Sequence, residues 1–265
     1  MTLVPIGDAE LYTESHGSGE PMLLVAGLGG MATFWHKQVD MLAEHYRVVL
    51  HDHRGCGRSS DAPVVSSAPE MADDLIRLMD AMEIESAHIV GHSTGGAIGQ
   101  NIAVKHPERV RSLVLSASWA GPTPLFVDTF RIRRDILINS GVKHYMMIGS
   151  LLASPAWTIA DDYQGMEHYL ADRIKHFAGL ETELARLNAV MTHDLRHRLG
   201  DIQAPTGVIS AKDDSLTPPG MSDELSAGIK GAVRVRLNEG GHFCPVTVSE
   251  DYNAALLDLI RTINA

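Results

Sequence analysis

The amino-acid sequence predicts an α/β protein in which helices flank a mostly parallel central sheet. Short apolar runs alternate with amphipathic segments along most of the 265 residues. The runs are continuously apolar, which is typical of strands that are buried on both faces of a parallel sheet. Hydrophobic residues make up 45% of the chain, enough to form a large core.

The predicted elements follow one another in a regular order. Residues 2–16 alternate loosely and turn at Gly7-Asp8, which predicts an N-terminal hairpin. Continuous apolar runs then predict the strands Met22–Val25, Val48–His51, Ala87–Val90, Val110–Leu115, Thr206–Ser210 and Val233–Leu237. The segments between them predict helices over roughly 34–44, 70–82, 95–105, 220–228 and 251–263.

The alternation stops between Ser118 and about Gly200. This stretch is rich in helix formers and aromatic residues, which predicts a mostly helical insertion. We therefore expect residues 1–118 and 200–265 to form the core, and residues 119–199 to form a lid, named the helical insertion below. An insertion at this point can cover a site at the carboxyl ends of the strands.

Composition excludes several classes of function. The formal net charge is −11, so a nucleic-acid-binding surface or an anionic membrane surface is not expected. Two distant cysteines, Cys56 and Cys244, form neither a disulfide framework nor a C-x-x-C motif. The N-terminus lacks a signal-peptide pattern, and no apolar run is long enough to span a membrane. These features predict a cytoplasmic protein; they identify no substrate and no oligomeric state.

The segment Gly91-His92-Ser93-Thr94-Gly95 carries the strongest functional signal. It follows a predicted strand and opens a predicted helix, the setting of a nucleophile elbow. Glycines permit the tight turn and leave the hydroxyl of Ser93 exposed at a helix N-terminus. The sequence therefore predicts Ser93 as a nucleophile.

A serine nucleophile needs a base, and the base needs an orienting carboxylate. Asp213 and Asp214 follow the predicted strand at 206–210, and His242 follows the one at 233–237 after two glycines. The order serine, acid, histidine is the one that a nucleophile elbow requires. We predict His242 as general base and then acid, and Asp214 as its orienting carboxylate.

The tetrahedral intermediate also needs N–H donors for its oxyanion. The backbone N–H of Thr94 is one candidate, and that of Leu28 in the segment Gly27-Leu28-Gly29-Gly30, named the glycine loop below, is the other. Trp119, His92 and Gly27 are predicted substrate contacts because they lie at strand ends or beside the nucleophile. The mechanism requires no cofactor and no metal.

The first sixty residues also permit a nicotinamide-binding interpretation. Gly27, Gly29 and Ala32 match the spacing of a dinucleotide fingerprint, and Asp52 lies where a ribose-binding acid is expected. An N-terminal hairpin before the fingerprint, and the absence of a later catalytic pair for hydride transfer, favour the hydrolytic interpretation over an NAD-dependent oxidoreductase.

Two histidine pairs have spacings that could serve a metal. His51 and His53 alternate across a strand end, so their rings are expected to diverge. His193 and His197 have helical spacing but no evident third ligand. Structural or solvated roles are the preferred interpretation of both pairs.

Taken together, these motifs resemble the α/β-hydrolase fold superfamily over nearly the whole chain. The segments that carry the resemblance are Gly27–Gly30 with Trp35, Asp52–Ser59, Gly91–Gly96, His106–Val110, Asp214–Pro218 and Gly240–His242. The acid-x-x-x-Pro spacing favours Asp214 over Asp213, and the Arg54-Gly55 loop is implied to be structural. At position 26 this chain has alanine, where many members of the superfamily have histidine. The difference leaves the predicted oxyanion donors unaffected, because these are backbone N–H groups.

Within the superfamily, the chain is similar to the aminoacrylate hydrolases of pyrimidine degradation and to 3-oxoadipate enol-lactonases. The segments 96–100, 176–180 and 186–189 carry the first similarity. The resemblance implies hydrolysis of an ester, lactone, carbamate or amide bond in a small molecule that bears a carboxylate. Arg131, Arg133 and Arg134 could pair with that group, or form a solvated helix face.

The same fold supports other chemistry, because fold does not determine function. Cofactor-free dioxygenation, carbon–carbon bond hydrolysis and perhydrolysis are the alternatives that the resemblance leaves open. A role restricted to ligand binding is disfavoured by the presence of all three predicted triad residues.

Overall fold

A computed structural model describes residues 2–59 and 62–265. Within them, eight strands form one sheet with the order β1-β2-β4-β3-β5-β6-β7-β8. The strands are β1 Thr2–Pro5, β2 Glu10–His16, β3 Pro21–Val25, β4 Arg47–His51, β5 Ala87–His92, β6 Val110–Ser116, β7 Thr206–Ala211 and β8 Val233–Leu237. Strands β3 to β8 pair in parallel, and β1 and β2 form an antiparallel hairpin that continues antiparallel onto β4.

The helices cover both faces of the sheet and its carboxyl edge. They are α1 His36–Ala43, α2 Ala68–Ala81, α3 Thr94–Lys105, α4 Pro124–Ala153, α5 Ala156–Asp161, α6 Tyr163–Lys175, α7 Leu180–Thr192, α8 Pro219–Gly228, α9 Cys244–Thr247 and α10 Ser249–Ile263. Short 3₁₀ turns occur at Ala32–Trp35, Pro107–Arg109 and Arg196–Asp201.

The predicted fold class, the hairpin, the six strands and the five helices are confirmed, and their ends differ by a few residues. The helix expected from residue 70 begins at Ala68, because a capping box precedes it. The Ser67 hydroxyl accepts from the Glu70 N–H at 3.3 Å, and it donates to the Glu70 carboxylate at 2.7 Å. The helix expected from residue 34 begins as the 3₁₀ turn Ala32–Trp35.

The core has one layer on each face of the sheet. In β3, Leu23 and Val25 pack on the side of α2 and α3, whereas Met22 and Leu24 pack on the side of α1 and α10. Successive side chains of a strand point to opposite faces, so each continuous apolar run contributes to both layers. This double burial explains why the strands lack apolar–polar alternation.

The helical insertion lies between β6 and β7 and contains α4 to α7, as the sequence predicts. It has an apolar cluster of its own, which includes Trp119, Phe126, Phe130, Tyr145 and Leu187. The same cluster contains Leu216 and Met221 of the core, so the insertion packs directly on the carboxyl edge of the sheet. The division into core and lid at residues 118/119 and 199/200 stays a prediction; residues 1, 60 and 61 lie outside the described chain.

No helix in the described ranges is long and apolar enough to cross a membrane. Cys56 and Cys244 are both buried and free, as expected for a chain without a disulfide framework.

A buried histidine makes stability depend on pH. His193 follows α7 and lies against Asn101 of α3. Burial is the main cause that lowers its pKa from 6.5 to about 4, and Asp194 opposes the shift. The unfolded chain therefore binds a proton here at a higher pH than the folded chain does. The resulting stability is complete above pH 6.5 and is lost as the pH falls towards 4.

We therefore expect His193→Gln to reduce the loss of thermal stability between pH 7 and pH 5. At pH 5, protonation of this one histidine in the unfolded chain lowers the free energy of unfolding by about 2 kcal/mol. Thermal unfolding followed by circular dichroism at both pH values measures it. The control is His144→Gln, because the His144 ring is exposed. If His193→Gln and the wild type show equal losses, the prediction is wrong.

Candidate active site

Ser93 lies at the turn between β5 and α3, at the carboxyl edge of the sheet. Its backbone has φ +54° and ψ −117°, in a region that side-chain-bearing residues rarely adopt. The Ser93 N–H donates to Ser116 O at 2.8 Å, and the Ser118 hydroxyl donates to Ser93 O at 2.9 Å. Strand β6 therefore holds the strained turn in place.

The glycines on either side of Ser93 are required by close backbone contacts. A Cβ at Gly91 would collide with the backbone of Gly95, and a Cβ at Gly95 would collide with the carbonyls of Val25 and Ala26. Helix α3 therefore begins in direct contact with the end of β3. The predicted elbow has the backbone that its glycines indicate.

The Asp214 carboxylate lies in the loop after β7 and is fully enclosed. Its Oδ1 accepts from the N–H groups of Leu216 and Thr217, each at 2.9 Å. Its Oδ2 accepts from the Thr217 hydroxyl at 2.7 Å and lies 2.9 Å from His242 Nδ1. An ionised carboxylate only accepts, so His242 donates from Nδ1 and keeps Nε2 available as a base.

Asp213 has a different role from its neighbour. Its carboxylate accepts from the N–H groups of Gly240 and Gly241 at 3.2 and 2.8 Å. These glycines have φ values of +124° and +63°, which allow the chain to turn sharply before His242. Asp213 therefore shapes the loop that presents the imidazole, and Asp214 contacts the imidazole itself.

The residue before the predicted nucleophile contacts the predicted base. The ring of His92, the residue before Ser93, has its centroid 4.9 Å from that of His242. Within the described chain, the Ser93 hydroxyl forms no hydrogen bond, and Ser93 is 8% exposed.

The glycine loop packs against the elbow. A Cβ at Gly27 would lie 3.2 Å from Ser93 Cβ, so only a glycine allows this approach without displacement. The Gly30 N–H donates to Gly27 O at 2.9 Å and closes the loop into a turn. The N–H groups of Leu28 and Thr94 have no acceptor among the described residues. Both predicted oxyanion donors are therefore free.

Two of the predicted substrate contacts, His92 and Trp119, are buried. Burial and the neighbouring His242 hold the pKa of His92 well below its usual 6.5, so this ring is neutral. The ring packs against Phe34 with 4.5 Å between ring centroids and a tilt of 30° between the ring planes. Trp119 packs on Phe126 at 4.9 Å. A substrate-binding role for His92, Trp119 or Gly27 stays a prediction.

The three arginines singled out in the sequence lie in two environments. Arg131 and Arg134 are on the outer side of α4, where Asp128 and Asp135 pair with them. Arg133 points inwards, with its guanidinium carbon 5.1 and 4.9 Å from the ring centroids of Phe130 and Tyr145. Its Nε has no hydrogen-bond partner in the described chain.

Two further arginines of the insertion reach the glycine loop. Arg173 of α6 donates to Gly29 O at 3.2 Å. Arg186 of α7 donates to Leu28 O from Nε and Nη2, at 3.0 and 2.7 Å. Sequence reasoning did not assign either role, because the contacts join positions 144 and 158 residues apart. The only available signal was that Arg186 opens one of the segments carrying the family resemblance.

The nicotinamide interpretation fails at the residue on which it depends. The Asp52 carboxylate is buried and accepts from the Ala32 and Arg58 N–H groups at 2.7 and 2.9 Å. The Arg58 guanidinium also donates to it at 2.8 and 3.0 Å. Asp52 therefore holds the turn after β4 together and has no free acceptor directed at a ribose. Arg54 is also structural, because it pairs with buried Asp74 at 2.6 and 2.7 Å.

The expectation that His51 and His53 diverge is wrong. Their rings stack with centroids 5.1 Å apart, because β4 ends at His51 and the chain leaves the alternating strand geometry. His193 and His197 are also not on one helix, since α7 ends at Thr192. The described residues contain no group of three or more potential metal ligands.

Comparisons with known proteins indicate an α/β-hydrolase fold, in agreement with the geometry of the elbow. The model of the family described as "alpha/beta hydrolase fold" matches residues 20–135. A protein from Azorhizobium caulinodans named "Putative carbamate hydrolase RutD" is 40% identical over 97% of each chain. Its namesake from Serratia proteamaculans is 36% identical over 96% of this chain and 98% of its own.

Solved structures share the fold over nearly their whole length. The enol-lactonase from Burkholderia xenovorans has a TM-score of 0.85 and 24% identity, covering 96% of this chain and 97% of its own. A hydrolase from Pseudomonas aeruginosa has a TM-score of 0.87 and 26% identity, covering 95% and 94%. These similarities confirm the resemblance drawn from the sequence motifs. The chain belongs to the α/β-hydrolase family and is a hydrolase of that fold.

Proposed function

We propose that the protein is a serine hydrolase that cleaves an ester, lactone, carbamate or amide bond of a small molecule through an acyl-enzyme. The observation that carries the proposal is the Asp214–His242 contact of 2.9 Å beside an elbow whose two neighbouring N–H groups are free. Such a set supplies a nucleophile, an oriented base and oxyanion donors in one place.

In the acylation step, Ser93 Oγ attacks the substrate carbonyl carbon while His242 Nε2 takes the hydroxyl proton. The negative charge that develops on the carbonyl oxygen is stabilised by the N–H groups of Leu28 and Thr94. Asp214 stabilises the imidazolium without taking its proton. His242 then gives the proton to the leaving group as the carbon–heteroatom bond breaks.

In the deacylation step, water attacks the acyl carbon while His242 takes a proton from it. Collapse of the second tetrahedral intermediate breaks the bond to Ser93 Oγ and returns the proton to that oxygen. The net reaction consumes one water, and every proton transfer uses residues of this chain. We therefore propose a mechanism that uses no cofactor.

We further propose that the substrate bears a carboxylate. Among the described residues, neither Arg133 nor Arg173 forms an ion pair, although both lie inside the insertion. Glu183, the buried carboxylate of this region, accepts from the Tyr145 hydroxyl at 2.5 Å. Arg173 touches the glycine loop, so its guanidinium is the group placed to bind a carboxylate near the scissile bond.

The helical insertion is proposed to act as a lid. Tyr169 of α6 packs on Phe243, the residue after His242, with 6.3 Å between ring centroids. Arg173, one turn further along α6, contacts the glycine loop. Ser93 and His242 are nearly enclosed beneath these contacts, so movement of α6 would open the site and closure would exclude bulk water.

Replacing the nucleophile tests the proposal directly. We expect Ser93→Ala to reduce kcat by roughly 10⁶-fold, as in a comparable triad, with p-nitrophenyl acetate as substrate. A fluorophosphonate should add to the wild type at Ser93 and not to the variant, as measured by peptide mass spectrometry. Ser222→Ala, which removes another buried hydroxyl, is the control and should retain activity. Full activity in Ser93→Ala would rule out the proposed mechanism.

The adjacent aspartates provide a matched pair of variants. We expect Asp214→Asn to lower kcat by roughly 10⁴-fold, because an amide favours the wrong imidazole tautomer. Asp213→Asn should lower kcat less than about tenfold, since the amide oxygen can still accept from Gly241 and only the longer contact, from Gly240, is lost. Steady-state kinetics measure both effects. Equal losses in the two variants would contradict the assignment of Asp214 as the triad acid.

The carboxylate hypothesis predicts a change in selectivity. Arg173→Gln should lower kcat/KM for a carboxylate-bearing ester by about tenfold to a hundredfold relative to its uncharged methyl ester, which is the loss of one charged hydrogen bond. The uncharged ester corrects for any disturbance of the glycine loop. Arg131→Gln is the control on the exposed side of α4. An unchanged ratio in Arg173→Gln would exclude this residue as the carboxylate partner.

A further inference from the structure

Arg186 is a buried cation that joins the helical insertion to the glycine loop. It is only 1% exposed, and its guanidinium donates to backbone carbonyls of that loop. Nε and Nη2 reach Leu28 O at 3.0 and 2.7 Å, and Nη2 also lies 3.4 Å from Gly27 O. One side chain therefore engages the carbonyls of two successive peptide groups.

The first of these peptide groups contains an oxyanion donor. Gly27 C=O and Leu28 N–H belong to one planar trans amide, so they point in opposite directions. The Gly27 carbonyl accepts from the Gly30 N–H at 2.9 Å and lies 3.4 Å from Arg186 Nη2, so the turn and the guanidinium together set the direction of the N–H on the other side. Its positive charge also polarises the amide, which strengthens the hydrogen bond that Leu28 N–H donates.

The remaining partner of Arg186 is also uncharged. Nη2 lies 3.0 Å from His53 Nδ1, and burial together with Arg186 holds the pKa of His53 well below its usual 6.5. A neutral His53 accepts this hydrogen bond. Arg186 forms no ion pair with a described carboxylate, so its charge is directed at the loop.

The loop leaves room for little else at this position. A Cβ at Gly30 would lie 2.8 Å from Arg186 Nη2 and 2.9 Å from Cys56 Sγ. Gly30 has φ +65°, and its carbonyl accepts from the His53 N–H at 2.7 Å. The guanidinium is thus packed between the glycine loop and the turn after β4, in one orientation.

We infer that Arg186 is a positioning residue for the oxyanion hole: it holds and polarises the Gly27–Leu28 peptide so that Leu28 N–H points at the developing oxyanion. This inference rests on the proposed serine mechanism, in which Leu28 supplies a donor. Arg186 contacts the carbonyl side of the loop and acts through the loop backbone.

Arg186→Met tests the inference because methionine fills similar space without charge or donors. We expect kcat to fall by about tenfold to a hundredfold with KM little changed, somewhat less than the loss from deleting an oxyanion donor. The inhibition constant of phenylboronic acid, which forms a tetrahedral adduct with the serine, should rise by a similar factor. Arg186→Lys, which keeps the charge and one donor, should lie between the variant and the wild type.

Arg196→Met is the matched control. Arg196 also belongs to the insertion and also donates to backbone carbonyls, those of Gly121 and Pro122 at 2.6 and 3.1 Å. Its hydrogen bonds go to Gly121, Pro122, Asp194 and Glu224 and not to the glycine loop, so its loss should affect thermal stability but not kcat or boronic acid binding. In Arg186→Ala, added methylguanidinium should restore part of kcat.

The possible results separate the inference from the proposed function. Wild-type kcat and boronic acid affinity in folded Arg186→Met would overturn the inference, as would equal kinetic losses in Arg196→Met. If Arg186→Met does not fold, the other two variants decide. The inference would then be overturned if Arg186→Lys had the kcat of the wild type and methylguanidinium did not restore kcat in Arg186→Ala. Activity retained in Ser93→Ala would instead refute the proposed mechanism.

Discussion

The site depends on a close backbone contact at the carboxyl edge of the sheet. Helix α3 starts against the carbonyls of Val25 and Ala26, and only a glycine at position 95 permits this contact. Gly27 then lies against Ser93 for the same reason. In the proposed mechanism, Ser93 and the Leu28 N–H act on one carbonyl group, and this contact between the two backbones is what holds them near each other. The strain at Ser93, about 1–3 kcal/mol for such a conformation, is sustained by the packing around it.

The helical insertion directs positive charge at the glycine loop, although the protein as a whole is acidic. The chain has 33 acidic and 22 basic residues, yet the side chains that the insertion directs at the glycine loop are arginines. Desolvating a charge is costly unless it is paired or hydrogen-bonded. Arg186 recovers that cost from carbonyls and His53, whereas Arg173 has a single carbonyl partner within the described chain. This difference fits the two proposed roles, in which Arg186 supports the loop and Arg173 binds the substrate carboxylate.

Local patterns in the sequence predict the fold class, the strands and the order of the helices. They do so because apolar runs and helix caps depend on burial and on residues that are close in the sequence. The same holds for the elbow, since Gly91 and Gly95 mark its backbone. Arg173 and Arg186 could not be found this way: their partners are carbonyls, which every residue carries, and the contacts form only after the insertion packs on the core. His51 and His53 show the opposite error: the alternation of a strand was extended to His53, two residues beyond the end of β4, and the stacking of the two rings was missed.

The neighbouring aspartates show what holds the predicted base, His242, in its orientation. Parallel strands β7 and β8 end side by side, so the loops that follow them are adjacent without further constraint. Adjacent loops alone do not orient an imidazole. Asp213 binds the two glycine N–H groups before His242, which sets the path of that loop, and Asp214 then meets Nδ1 at hydrogen-bond distance. Thr217 completes the arrangement, because its hydroxyl donates to Asp214 and lies 3.0 Å from Ala117 O at the end of β6. His242 is thereby tied to the strand next to the one that precedes Ser93, so one sheet positions both residues of the proposed proton transfer.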